Sequence, residues 1–360
     1  SSRRRHTRYG TVTGVQTCAL PIFGTYNLAG NLAIDTQDSG VRIEGPALGS
    51  AVLNRGNTNS GSYVIQLAGA DDVTVSRLTL TGGQYGVYGS SSADSDRFRL
   101  ENSVVTGNGV PFYGYGNVLI ETSNDDVVLV GNTIRNSPGV GIDLRGARGR
   151  VQGNEVSGNG RQGIYLSYNG TTADRIEATG NLVHHNTGGG IRAQNQVRVA
   201  DNTVWGHSTT FGVYLDGATV ESNEVFDNSV GIQTYYYSTG SRILGNRVYH
   251  NTTIGIQAYQ DTVVSGNVVY GNSIGIEGTY SNWWALFNGE ISNNLVYANS
   301  NQGIRVNHGS GARVTNNTVY QAVGNAVLVE DSSSNTTLRN NILWVGTGSD
   351  IVVATDSQVG

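Results

Sequence analysis

The sequence predicts an all-β solenoid, a single chain wound into a parallel β-helix with three short strands per coil and about ten coils. Three observations carry this. A phrase built on Gly-Asn returns along most of the chain, as in "GNEVSGNGRQGIYL" at 153, "GNRVYHNTTIGIQA" at 245 and "NNLVYANSNQGIRV" at 293. Its anchoring asparagines, from Asn132 through Asn154, Asn181, Asn202, Asn223, Asn246, Asn267, Asn294 and Asn317 to Asn341, are 21 to 27 residues apart. A period in that range marks a solenoid or array. The third observation is that the apolar residues inside each unit are few, β-branched and fixed in place.

Each strand is justified by its register to the anchor. Three residues before it comes Leu129, Val151, Val199, Val220, Ile243, Val264 or Ile291; two after it comes Ile134, Val156, Val183, Val204, Val225, Val248 or Val269. About nine after it comes Gly-Ile-x-x, with Ile142, Ile164, Ile191, Val213, Ile232, Ile256, Ile276 and Ile304. β-Branched residues favour strands, and Gly, Asn and Ser favour the turns between them. No segment of helical length fits within a unit, and the leucine pattern of leucine-rich repeats is absent. Inward Val and Ile should stack coil on coil, each contributing about 1.5–3 kcal/mol on burial. Asn159, Asn186, Asn228, Asn251, Asn272 and Asn299 each lie five residues after an anchor. They are expected to form a ladder of stacked amides. A weaker form of the repeat begins at 41 and 73.

Bulk properties narrow the function. The chain has 360 residues, 37% of them hydrophobic, enough for the thin core of one solenoid domain over 24–360, which is expected to be truncated at its C-terminus. Residues 1–23 hold four arginines, no acid and Cys18, the single cysteine. They are expected to be a non-native or processed leader, resembling the translated adapter sequence that heads some metagenomic gene fragments. Net charge is −5 overall, and the body without that leader stands at −9. That argues against a nucleic-acid partner. One cysteine excludes a disulfide framework or a zinc–thiolate site, and no apolar run is long enough to span a membrane.

The Gly-Ile-x-x strand should present two outward columns. The first reads Asp143, Tyr165, Arg192, Tyr214, Gln233, Gln257, Glu277, Arg305; the second reads Arg145, Ser167, Gln194, Asp216, Tyr235, Tyr259, Thr279, Asn307. The following loop is aromatic, with Tyr168, Tyr236, Tyr237, Tyr280, Trp283, Trp284 and Phe287 expected to project from one corner. Aromatic faces beside planar hydrogen-bonding groups suit sugar rings. The expected carbohydrate-binding residues are Tyr165, Gln233, Tyr235, Gln257, Tyr259, Glu277, Trp283 and Trp284. A second aromatic column, from Trp205, Phe226 and Tyr249 to Trp344, reads as structural.

Catalysis is a weaker expectation. Asp216 and Glu277 lie three coils apart, about 14 Å at the strand spacing, beyond the carboxyl separation of glycosidases. β-Elimination from a uronic acid needs a cation, a base and an acid. Arg192 could neutralise the carboxylate, Tyr214 transfer the proton and Asp216 orient the arginine. No metal site is expected: His184 should point away from His185 in an extended strand, and the acidic pairs Asp71-Asp72 and Asp125-Asp126 are the sole, unsupported candidates for calcium. No cofactor is expected.

The "GN-x-V-x-x-N" and "GI-x-x" motifs resemble the right-handed parallel β-helix repeat family of the pectate-lyase-like superfamily, over about residues 26–356. The resemblance implies right-handed coiling and a secreted protein acting on or contacting polysaccharide. The Asp-Pro-His signature of alginate epimerases is absent, and lysine-dependent lyases are excluded because all 22 basic residues are arginine. The leading expectation is therefore an extracellular or cell-surface bacterial module that contacts polysaccharide, a monomer or part of a larger chain. A polysaccharide lyase, and a non-catalytic structural or adhesin segment, are the alternatives.

Overall fold

The computed structural model describes residues 17–19, 23–110, 116–168, 175–281 and 286–358. Every strand pairs in parallel with the strand three before it and three after it, giving three 14-stranded sheets. One coil runs Thr219–Glu221, Glu224–Phe226, Val230–Thr234; the next runs Arg242–Leu244, Arg247–Tyr249, Ile254–Tyr259. About 13 turns result, roughly 62 Å at 4.8 Å per coil, against the ten expected. The undercount has a physical cause. In the first coils Ser103 and Leu78 stand where later coils carry asparagine, as the pairings Val104↔Thr133 and Val104↔Thr79 show. Pairing also begins before residue 24, with Thr17–Ala19 against Arg42–Glu44. Among the described residues the remaining elements are two short 3-10 turns, and no helix is long and apolar enough to cross a membrane.

The stacking follows the predicted registers. Val213, Ile232, Ile256 and Ile276 are successive partners and fully buried. The Gly of Gly-Ile is required by close approach. A Cβ on Gly255 would sit 2.6 Å from the Gly275 carbonyl oxygen and 2.7 Å from Val269 Cγ1. The residue before each anchor turns the corner with positive φ, 61° at Gly245 and 56° at Asp201, which is why Gly alternates there with Asp, Ser and Asn.

The anchors form a continuous buried ladder. Asn223 Oδ1 accepts from both the backbone N–H and Nδ2 of Asn202, each at 2.9 Å, while Asn223 Nδ2 donates to Asn246 Oδ1 at 2.9 Å. Nδ2 also meets the Val199 and Glu221 carbonyls at 2.9 Å. The pattern repeats from Asn132 to Asn341 and is started by Ser103, whose N–H donates to Asn132 Oδ1. Each corner thus satisfies backbone groups that the turn would otherwise bury unpaired.

The second ladder contains two residues the sequence reading passed over, Gln321, whose Oε1 accepts from the Asn299 N–H at 3.1 Å, and His207. Between Asn186 and Asn228 stands His207, buried, with Nδ1 2.8 Å from Asn228 Oδ1 and Nε2 3.4 Å from Asn186 Nδ2. A neutral imidazole with its proton on Nδ1 copies the donor–acceptor polarity of the amide it replaces. Burial pushes its pKa down to about 4. The unfolded state therefore takes up the proton first as pH falls. Stability should be full above pH ~6.5 and decline between there and about 4, by roughly 3 kcal/mol for a shift of this size. Urea midpoints measured from pH 7 to 4 check this: His207→Asn should flatten the decline, and an unchanged decline would contradict the ladder role.

The second aromatic column is a stack. Trp205, Phe226, Tyr249, Tyr270 and Tyr297 lie 4.8–5.8 Å apart with interplanar angles of 2–7°, and His184 caps it on Trp205 at 4.4 Å.

Candidate functional site

The outward columns of the third sheet are assembled as the repeat implied. Asp143, Tyr165, Arg192, Tyr214 and Gln233 are successive partners, and Gln257, Glu277 and Arg305 continue the row. Within it two different arrangements occur.

The first alternates cations and rings. The Arg145 guanidinium lies 5.5 Å from the Tyr165 ring; that of Arg192 lies 5.5 Å from Tyr165 and 5.4 Å from Tyr214. Asp143, buried at 8% exposure, holds Arg145 by two bonds of 2.8 and 2.6 Å. Burial raises the Asp143 pKa against the pull of Arg145. The Tyr165 hydroxyl donates to Gln194 Oε1 at 2.5 Å. Phe211 packs 4.9 Å from Tyr214, and Tyr235 6.3 Å from it, leading to the exposed Tyr236 and Tyr237.

The second is a chain of planar hydrogen-bonding groups. Gln233 Nε2 donates to Gln257 Oε1 at 2.6 Å, and Gln257 Nε2 to Glu277 Oε2 at 2.8 Å. Arg305 bridges Glu277 Oε1 at 3.2 Å and Glu330 Oε1 at 2.6 Å. Tyr259 stands beside this row, its pKa raised first by burial and then by Glu277. A concavity of about 460 Å³ lined by Arg305, Asn307, Glu330, Asp331 and Asp356 continues the face. Another, of about 450 Å³, lies on the first sheet around Asp126, Arg148 and Arg150, away from these columns.

Arg192, Tyr214 and Asp216 do lie on neighbouring coils, with Arg192 the register partner of Tyr214 and Gln194 that of Asp216. No ion pair joins Asp216 to Arg192 among the described residues; the guanidinium is held by the two rings, and its Nε is buried without a hydrogen-bond partner. Burial pushes the Tyr214 hydroxyl up to about 12 despite Arg192, so near neutral pH it stands as a proton donor. The aromatic corner is corrected: Tyr168 and Phe287 are buried, at 4% and 0% exposure. Phe287 occupies the space that a side chain at Gly278 would fill. Trp283 and Trp284 lie outside the described residues. The acidic corners are met by arginine. Arg97 pairs with Asp72 at 2.7 Å, and Arg148 with Asp126 at 2.7 Å.

The sequence reading missed the N-terminal extension of this face. Tyr88 and Leu119 precede Asp143 in the same column, Tyr63 and Tyr85 lie 4.3 and 5.4 Å from Tyr88, and Glu121 meets the Tyr88 hydroxyl at 3.4 Å. The phrase "YGVYG" at 85–89 carries the Gly-Val spacing of the later strands and could have revealed it.

Residues 63–219 match the family model described as right handed beta helix region, and residues 208–359 match the one described as periplasmic copper-binding protein (NosD). The first of these models describes, over the residues it matches, the same parallel β-helix that the three sheets form. No curated relative matches. Among solved structures it is similar to the A-module of mannuronan C-5 epimerase AlgE6 from Azotobacter vinelandii, at 12% identity, covering 92% of this chain and 89% of that one with a TM-score of 0.41. It is also similar to DFA-IIIase from Arthrobacter chlorophenolicus A6, at 15% identity, 90% and 86% coverage and a TM-score of 0.46. A third is the catalytic unit of the GH87 α-1,3-glucanase from Streptomyces thermodiastaticus, at 12% identity, 93% and 72% coverage and a TM-score of 0.44.

Proposed function

We propose that this is an exported β-helix protein that contacts polysaccharide along the outer face of its third sheet. The observation that carries the reading is the row Arg145–Tyr165–Arg192–Tyr214, continued by Gln233, Gln257 and Glu277. Rings and guanidinium planes offer apolar faces for sugar C–H groups, and the amides and carboxylate beside them offer hydrogen bonds to hydroxyls. Export is supported by the periplasmic description of the second matched family. The copper in that description finds little to hold it: among the described residues no three His, Cys, Asp or Glu side chains converge as a metal site. The alternation of guanidinium and ring runs unbroken over four coils, so binding is the reading the face supports best.

Affinity electrophoresis in gels containing neutral or acidic polysaccharides tests it. Tyr165→Ala and Tyr214→Ala should each weaken retardation about tenfold, as expected for losing one ring contact of ~1.4 kcal/mol. Trp283→Ala/Trp284→Ala tests the loop separately. Equal migration of wild type and both tyrosine variants, or no retardation on any polysaccharide, would leave the face a structural one.

A further inference from the structure

We infer that Arg148, Arg150 and Arg175, on the outer face of the first sheet and apart from the proposed sugar face, form a binding site for a phosphate monoester. Gly149 is buried between its partners Val127 and Ile176, so Arg148 and Arg150 on either side of it share the outer face. Arg175 precedes Ile176 and therefore stands one coil on from Arg148. The three backbone positions lie about 5–8 Å apart, from the coil spacing and the rise per residue. Their guanidinium groups can thus reach one ligand. With Asp126, Val128 and Glu177 they line a concavity of about 450 Å³.

The charges in this concavity do not balance. Its two carboxylates are engaged already: Arg148 donates two bonds of 2.7 Å to Asp126, and Glu177 lies 3.8 Å from Arg198. Arg150 and Arg175 are exposed and make no hydrogen bond or ion pair among the described residues. Elsewhere on the same sheet Arg99 has Glu101, Arg198 has Glu221 and Arg313 has Glu290. Two cations without a countercharge on adjacent coils suit one ligand group carrying close to two negative charges. A phosphate monoester does so near neutral pH, whereas a carboxylate or a sulfate ester carries one. The planar guanidinium fork also matches pairs of phosphate oxygens. The concavity is of small-molecule size, and half-buried Val128, the register partner of Arg150, gives the organic part of an ester an apolar floor.

Calorimetric titration of the full chain with phenyl phosphate tests this, with phenyl sulfate, inorganic phosphate and phenol as the comparison arms. Phenyl phosphate should bind at one equivalent and more tightly than the other three, and its affinity should fall as added salt screens the arginines. Arg150→Gln and Arg175→Gln should each weaken it tenfold or more, as expected for losing a charge-assisted fork. Arg242→Gln removes an exposed arginine of the same outward column three coils beyond Glu177 and should leave the affinity unchanged. Thermal midpoints of the three variants verify that each is folded. No binding of phenyl phosphate by wild type, or equal affinity for phenyl sulfate, inorganic phosphate or phenol, would overturn the inference. So would an equal loss in Arg242→Gln, or affinity unchanged in both groove variants.

Discussion

Ile256→Asp is expected to lower unfolding stability by more than about 3 kcal/mol. Ile256 is fully buried between its partners Ile232 and Ile276, and Ala258 and Gly255 on its own strand are buried as well. A carboxylate there would find no arginine: the cations of the third sheet, Arg145, Arg192 and Arg305, lie on the outward columns. The neighbours above and below cannot retreat, because each is packed by the next coil. Chemical denaturation monitored by circular dichroism measures the effect. A near-wild-type midpoint would mean that this strand does not face the core.

Asn223→Ala should cost about 3–5 kcal/mol, from several buried groups losing partners at ~1–3 kcal/mol each. The substitution removes the acceptor shared by the Asn202 N–H and amide, and the donor to the Val199 and Glu221 carbonyls. The end of the same ladder provides the comparison. Asn341 is half-buried and also accepts from the N–H and amide of Asn317. Water can reach that end, so Asn341→Ala should cost about 1 kcal/mol. The same urea experiment on both variants checks the difference; equal losses would show that the ladder interior is no more dependent on its amides than its rim.

The fold was legible because the constraints of a coil fall on few residue types. A corner with positive φ admits Gly, Asn, Asp or Ser, and an interior layer admits Val or Ile, so spacing alone located Ile232 above Ile256. The extent was less legible. Ala51, Leu78 and Ser103 occupy the anchor position without being asparagine, so their coils, with Tyr63, Tyr85, Tyr88 and Glu121, showed only the weaker form of the pattern. The outward columns were legible as rows, because strand period fixes which residues share a face. Their contacts were not. Whether Arg192 met Asp216 or the rings of Tyr165 and Tyr214 depended on side-chain reach across coils. A single left-handed residue, His185 with φ +53°, reversed the expected direction of a ring, which meets His184 edge to face at 5.1 Å. His207 was hidden for a related reason: its role is that of an amide, which residue identity does not disclose.

The most direct test of the account is hydrogen–deuterium exchange on the protein with and without the polysaccharide that retards it most. Protection is predicted on the third-sheet strands Ile164–Tyr168, Ile191–Gln194, Phe211–Asp216 and Val230–Thr234. The second-sheet strands of the same coils, Glu155–Ser157, Leu182–His184, Thr203–Trp205 and Glu224–Phe226, should exchange unchanged. Protection confined to the second-sheet strands, or to the first-sheet groove around Arg148 and Arg150, would contradict the assignment of the third-sheet face.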